Sequence, residues 1–449
     1  MRVIFVDAGR LWLMTATRPV AVLGGIRIPF ARQNTAYATA SNHDMLQATL
    51  QALAERFSLG GERLGEIGAG AVLKQSRDFN LTREAALGTS IAPETPAYDL
   101  QMACGTGVQA IVGIANKIAL GQIDSGIGGG VDTTSDAPLA LNERFRQFLL
   151  ELNRAKTFGD RARIAVRFRP GMLSPHIPSN AEPRTGLSMG DHTERMVRQW
   201  GITREAQDEL AYESHQKAAA AWKEGFYDDL VVPFRGLERD NNLRPDSTLE
   251  KLARLSPAYD KTSGRGTLTA GNSTPLTDGA SAVLLASDEW AAAHGHEPLA
   301  YIVDAETAAV DFVGHPRAGE RVGADAEGLL MAPAYAVARL LRRRGLTLQD
   351  FDFYEIHEAF AGQVLCTLAA WEDEEYCRTR LGWDGALGSI DRSKLNVKGG
   401  SLAAGHPFAA TGGRLVAGLA KILHEHGSGR GLISVCAAGG AGIVAILER

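Results

Sequence analysis

The stretch Ala97-Tyr98-Asp99-Leu100-Gln101-Met102-Ala103-Cys104-Gly105-Thr106-Gly107 decides the fold. It opens as a strand and ends in small residues. A helical pattern of Val108, Ile111, Val112, Ile114 and Ile118 begins at once, with Gly121 where a C-cap belongs. Strand, tight turn and helix in that order make the elementary α/β unit. The turn carries Cys104 to the positive end of a helix dipole, where a thiolate is favoured, and small neighbours let a carbonyl approach the sulfur. A buried structural cysteine is the alternative, and only the rest of the chain separates the two.

Working outward, the same plan recurs. Ile123 to Ile127 reads as a strand ending in Gly128-Gly129-Gly130. Near the C-terminus, Leu395-Asn396-Val397 reads as a strand entering a glycine-rich loop, Gly399 to Gly413. A helical stretch follows (Leu415, Leu419, Ile422, Leu423), then a strand, Leu432 to Val435, then Cys436 and Gly439-Gly440. An internally duplicated α/β fold explains the repetition, with loops from each half meeting at one site. Between about 140 and 260 the alternation breaks into inserted loop and helix. Residues 141–170 hold eight Lys/Arg against three Asp/Glu, interleaved with Phe145, Phe148 and Phe168. Such a stretch suits a membrane surface or a partner protein, or a solvated helix over the core.

The chain has 449 residues, 45% hydrophobic and 22% charged, which suits a soluble globular protein of two or three domains or one doubled domain with an insertion. A net charge of -5 gives no ground for nucleic-acid binding. Four cysteines (Cys104, Cys366, Cys377, Cys436) form no CxxC pair, which argues against a disulfide framework or a structural zinc site and for reduced thiols in the cytoplasm. No apolar run approaches the roughly 18–20 residues of a membrane span. Asp7 and Arg10 interrupt the first apolar residues, and Met14 is expected as the native start.

Three clusters share the chemistry of Cys104. His357-Glu358-Ala359-Phe360 follows the apolar run Phe351 to Ile356, His406 sits in Gly405-His406-Pro407, and Cys436 closes a strand before Ala437-Ala438-Gly439-Gly440. Acyl transfer through a thioester needs a thiol nucleophile, a base and donors for the oxyanion. A second thiol can move the proton at the α carbon. Two thiols and two imidazoles therefore suffice for a reversible Claisen condensation.

These sets, with Thr269-Ala270-Gly271-Asn272, resemble the thiolases over about residues 18–449. The HEAF, GHPFAATG and CAAGG forms look most like the branch holding the fatty-acid-oxidation thiolase and the trifunctional-protein β subunit. The resemblance implies two βαβαβαββ halves in five αβαβα layers. Residues 18–140 and 266–300 would form the N-terminal half, 301–449 the C-terminal half, and 141–265 a loop domain covering coenzyme A. It implies Cys104 as acylated nucleophile, His406 as its base, Cys436 as acid/base, and His357 where many relatives carry Asn. The backbone N–H groups of Cys104 and Ala438 would hold an oxyanion. Ser188, Met189, Arg244 and Thr274 would contact coenzyme A, a substrate here, with no permanent cofactor and no metal. A homodimer or homotetramer, and a hydratase/dehydrogenase α subunit as partner, belong to the same expectation.

Other readings fit less well. Gly186-Leu187-Ser188-Met189-Gly190 matches a nucleophile elbow, but turn-forming residues precede it where a strand is required. A β-ketoacyl synthase would lack Cys436. A biosynthetic acetoacetyl-CoA-forming acetyltransferase is the alternative within the family, whereas a silent lipid-carrier or scaffold subunit would not need all four reactive side chains. Full GxGxxG spacing and the phosphate-loop motif are absent, which disfavours a nucleotide site.

Overall fold

The computed structural model describes residues 17–449 in full, together with the backbone of two paired strands, Arg2–Asp7 and Arg10–Thr15. The expected start at Met14 concerns a side chain outside the described residues.

The first half runs β1 (Ala21–Arg27), α1 (Asn42–Arg56), β2 (Glu66–Ala69), α2 (Leu81–Leu87), β3 (Ala97–Asp99), α3 (Thr106–Ala119) and β4 (Ser125–Asp132). Four longer helices then lie in an insertion: α4 (Glu143–Arg154), α5 (Phe158–Ala165), α6 (Met189–Gln199) and α7 (Arg204–Lys223). Strand β5 (Thr277–Ala286) completes the half. The second half runs β6 (Ala300–Ala309), α8 (Ala332–Arg344), β7 (Phe353–Ile356), α9 (Ala361–Glu372), α10 (Thr411–His426), β8 (Arg430–Ala437) and β9 (Ala441–Glu448).

The strands pair in the order β3-β2-β4-β5-β1, then β6-β9-β8-β7. The join is short: Ala21 faces Tyr301 and Val22 faces Ala300. Outward from it, each half shows its first strand, its last, its second-to-last and then the strand after its first helix. Parallel pairing links β2 to β4 and β7 to β8, and antiparallel pairing links β4 to β5 and β8 to β9. The duplication expected from the sequence is therefore present as topology.

One expected strand is replaced. Leu395-Asn396-Val397 contributes a single bridge, Leu395 to Tyr354. Asn396 adopts φ 44, which ends extended pairing. Its side chain continues the ladder instead: the Ile356 N–H donates to Oδ1 at 2.9 Å and Nδ2 donates to the Ile356 carbonyl at 3.0 Å.

Strand alternation sorts the core into layers. Val283 and Leu285 of β5 and Ile433, Val435, Ile443 and Leu447 of β8 and β9 face inward onto α3 and α10, through Ile111, Ile114, Leu419 and Leu423. Their neighbours face outward. Ala282 and Leu284 pack under α1 and α2, while Leu432, Val444 and Ile446 pack under α8 and α9. Helix, sheet, helix pair, sheet, helix gives the five expected layers. Both α3 and α10 sit between the sheets, so the turns at their N-termini converge.

The insertion occupies residues 133–276, between β4 and β5, where the second half has only 438–440 between β8 and β9. It is tied to the core by a buried fork: Arg27 of β1 donates to both oxygens of Asp240 at 2.6 and 2.7 Å, and Asp240 also accepts the Phe30 N–H. Among the described residues no helix is long and apolar enough to cross a membrane.

Candidate active site

Cys104 sits just before the first turn of α3, following Ala103 at φ 44. A non-glycine residue in the left-handed region stores strain, and here it turns the thiol off the strand path toward the second half. Gly107 makes room for what meets it: a Cβ there would lie 2.4 Å from the Ala409 carbonyl oxygen. The absence of that carbon lets the Gly405–Thr411 loop rest on the start of α3.

That loop brings His406 in. Its Nε2 lies 3.0 Å from Cys104 Sγ, and its Nδ1 lies 2.6 Å from Thr411 Oγ1. His357 leaves the end of β7, its N–H donating to the Ser434 carbonyl at 2.8 Å. Its ring centroid is 4.1 Å from that of His406. Cys436 is buried on β8 and near enough to Cys104 that a thiolate at one disfavours a thiolate at the other. The Thr269–Asn272 turn packs behind them, with the Ala361 N–H donating to the Asn272 carbonyl at 3.0 Å. All four expected reactive side chains are thus gathered at the convergence of α3 and α10.

The electrostatics differ from the helix-dipole expectation. Burial, with a smaller push from Asp132, moves the Cys104 thiol up to about 12, against the opposing backbone N–H groups of Ala438 and of Cys104 itself. Burial, then Arg414, holds His406 down at about 3. Burial, then His406 and Arg414, puts His357 well below its ordinary value. Burial, then Cys104, keeps Cys436 protonated. Desolvation outweighs the dipole, so the resting site is neutral: two thiols and two imidazoles. A neutral thiol beside a neutral imidazole passes its proton only as bonding to the substrate develops.

The two N–H groups expected to hold an oxyanion, those of Cys104 and Ala438, are the ones directed at the sulfur. The donor atoms of Cys104, His357 and His406 lie within 4.8 Å of one another.

Sequence reasoning missed Asp132. At the end of β4 its carboxylate accepts N–H groups from Val72, Leu73 and Ala409 at 2.8 to 2.9 Å, fixing the His406 loop, and burial moves it up to about 7. Ser401, Thr411 and Arg414 were also missed, although they stand in the glycine-rich stretch that carries His406. Only their three-dimensional partners single them out.

A cleft of about 460 Å³ opens beside this centre, lined by Arg244, Thr274, His215, Asn242, Arg32 and Tyr259 among others. Thr274 and Arg244, two of the residues expected to contact the coenzyme, are thus on its wall. Ser188 and Met189 do not line it. Ser188 caps α6, its hydroxyl donating to Asp191 Oδ2 at 2.7 Å while accepting the Asp191 N–H at 3.1 Å. The same capping role accounts for the Gly186–Gly190 match without any hydrolase chemistry.

Family models for the thiolase N-terminal domain and the thiolase C-terminal domain match residues 20–289 and 310–449. The chain belongs to the thiolase family. It is 40% identical over 435 residues to the 3-ketoacyl-CoA thiolase of Pectobacterium atrosepticum and to that of Shewanella baltica, covering 96% of each chain. Among solved structures it is similar to the human mitochondrial 3-ketoacyl-CoA thiolase in complex with CoA (TM-score 0.78, 28% identity, 97% of this chain and 99% of that one). The Bacillus anthracis acetyl-CoA acetyltransferase matches with a TM-score of 0.78 and 29% identity, over 97% of this chain and 100% of that one. As a thiolase the protein is an acyltransferase that uses CoA as a substrate.

Proposed function

We propose that this thiolase cleaves a 3-ketoacyl-CoA with CoA into acetyl-CoA and a shortened acyl-CoA. The observation that carries the reading is the 3.0 Å approach of His406 Nε2 to Cys104 Sγ, with His357 and Cys436 beside them. Cys104 Sγ attacks C3 while His406 takes the thiol proton. The tetrahedral oxyanion is held by the N–H groups of Cys104 and Ala438. The C2–C3 bond then breaks, its electron pair passing to C2 as an enolate whose oxygen faces His406 and His357. Cys436 protonates C2 and acetyl-CoA leaves. In the second half-reaction the Cys436 thiolate takes the proton of incoming CoA, CoA attacks the acyl group, and Cys104 leaves and recovers its proton from His406. Every proton is returned after one turnover.

The pantetheine arm enters along Thr274, and Arg244 meets the phosphates at the outer end of the cleft. Residues 141–265 form the loop domain over the coenzyme. Cleavage is preferred to acetoacetyl-CoA synthesis because the curated relatives are 3-ketoacyl-CoA thiolases. Fatty-acid β-oxidation in the cytoplasm, as a homodimer or homotetramer, is the setting that fits. The α4–α5 hairpin and the segment after it leave Phe158, Val166, Leu173 and Ile177 exposed in an arginine-rich stretch, a surface suited to a hydratase/dehydrogenase subunit or an anionic membrane.

The decisive experiment follows CoA-dependent loss of 3-ketoacyl-CoA absorbance, with acetoacetyl-CoA against a longer substrate and Cys104→Ala as control. Loss that requires both CoA and Cys104 supports the reading. Activity that survives in Cys104→Ala overturns it.

A further inference from the structure

Two buried side chains beside the centre have no part in the reaction as described. Ser401, fully buried, places Oγ 2.8 Å from His357 Nδ1, and Arg414 Nη2 donates to the same oxygen at 3.0 Å. His357 Nε2 is buried and has no hydrogen-bond partner among the described residues, and the ring lies 4.1 Å, centroid to centroid, from that of His406. A guanidinium has only donors, so Ser401 Oγ must accept from Arg414. The hydroxyl then has one proton left to place, and His357 Nδ1 is the acceptor within reach. If His357 donated from Nδ1 instead, the Ser401 proton would be stranded in a dry interior, which costs free energy.

We infer that Arg414 and Ser401 are positioning residues that fix the tautomer of His357, forcing the ring proton onto Nε2 so that a neutral N–H points at the substrate oxygen. His406 has the opposite requirement. Its Nε2 must be bare to receive the Cys104 proton, which puts the ring proton on Nδ1, and Thr411 Oγ1 lies 2.6 Å away to accept it. Two imidazoles 4.1 Å apart are thus held in opposite tautomers by two different hydroxyl residues. The arginine charge acts in the same direction, since a cation near both rings disfavours a second proton on either. Arg414 thereby keeps His357 a donor without making it an acid.

This inference rests on His357 facing the substrate oxygen. It is tested without turnover by nitrogen-15 NMR of the intact protein labelled at histidine, with the His357 signals assigned through His357→Asn. The expected spectrum is a neutral ring protonated at Nε2. In Ser401→Ala the pattern moves toward a tautomer mixture and kcat falls on the order of tenfold, the lower range for loss of an orienting partner, while KM for CoA holds. Ser401→Thr, which keeps the hydroxyl, restores both. A native spectrum with the proton on Nδ1 overturns the inference, as does Ser401→Ala with unchanged tautomer and kcat. Should Ser401→Ala fail to fold, the native spectrum alone decides. None of these outcomes depends on the Cys104→Ala control, so the tautomer can fail while the thiolytic reading stands.

Discussion

His406 Nε2 lies 3.0 Å from Cys104 Sγ, and the two residues come from opposite halves of a duplicated chain. Because burial leaves both neutral, the pair is a proton donor and acceptor in waiting rather than a standing ion pair. Replacing His406 with Asn keeps polarity near the sulfur and removes the base. Acylation by an activated acyl-CoA is expected to slow by roughly 10²–10⁴. Mass spectrometry of the acyl-enzyme over time measures it, and an unaltered acylation rate would assign the base elsewhere.

Cys436 acts later in the scheme. Cys436→Ala is expected to accept an acyl group on Cys104 at a near-normal rate yet fail at carbon–carbon cleavage. Deuterium exchange at the α carbon of acetyl-CoA, followed by NMR, should disappear with it. Exchange that persists would remove Cys436 from the proton's path.

Ser188 has a structural role beside the expected one. Its hydroxyl closes a capping box with Asp191 and is not among the residues that line the cleft. Ser188→Ala should lower unfolding stability by about 1 kcal/mol and leave KM for CoA unchanged. A several-fold rise in KM with unchanged stability would return Ser188 to the binding site.

His215 gives a pH dependence of known sign. Burial, then Arg244, lowers its pKa from 6.5 to about 4, and Nδ1 accepts the Arg244 backbone N–H at 3.2 Å. The unfolded chain takes up this proton first, so the stabilisation is complete above 6.5 and declines as pH falls toward 4. Between pH 7.5 and 5.0, native protein should lose about 2 kcal/mol relative to His215→Asn in urea unfolding. A difference that does not change with pH would mean His215 titrates normally in the fold.

The fold was legible because its signals are local and repeated. Cys104 after a strand, Cys436 closing another and two imidazoles at strand or loop ends each carry a recognisable neighbourhood. What stayed hidden is what only packing creates. The three residues Leu395-Asn396-Val397 read as a strand by composition, yet an asparagine side chain performs the pairing. The dipole argument for a Cys104 thiolate was sound locally, but it lost to desolvation by elements far away in sequence. Asp132, Ser401 and Arg414 are ordinary polar residues until the loops they hold are seen.

The short join between the half-sheets, where Ala21 and Val22 face Tyr301 and Ala300, has a consequence for how such chemistry is divided. In the proposed reaction the nucleophile, Cys104, comes from one copy of the fold, whereas the base, His406, and the residue that moves the α-carbon proton, Cys436, come from the other. On that reading neither copy carries the full set of reactive groups; the long insertion lies in the half that brings Cys104, and the half that brings His406 and Cys436 has a three-residue turn in its place. The chain behaves as a dimer of unlike subunits that shares a single backbone.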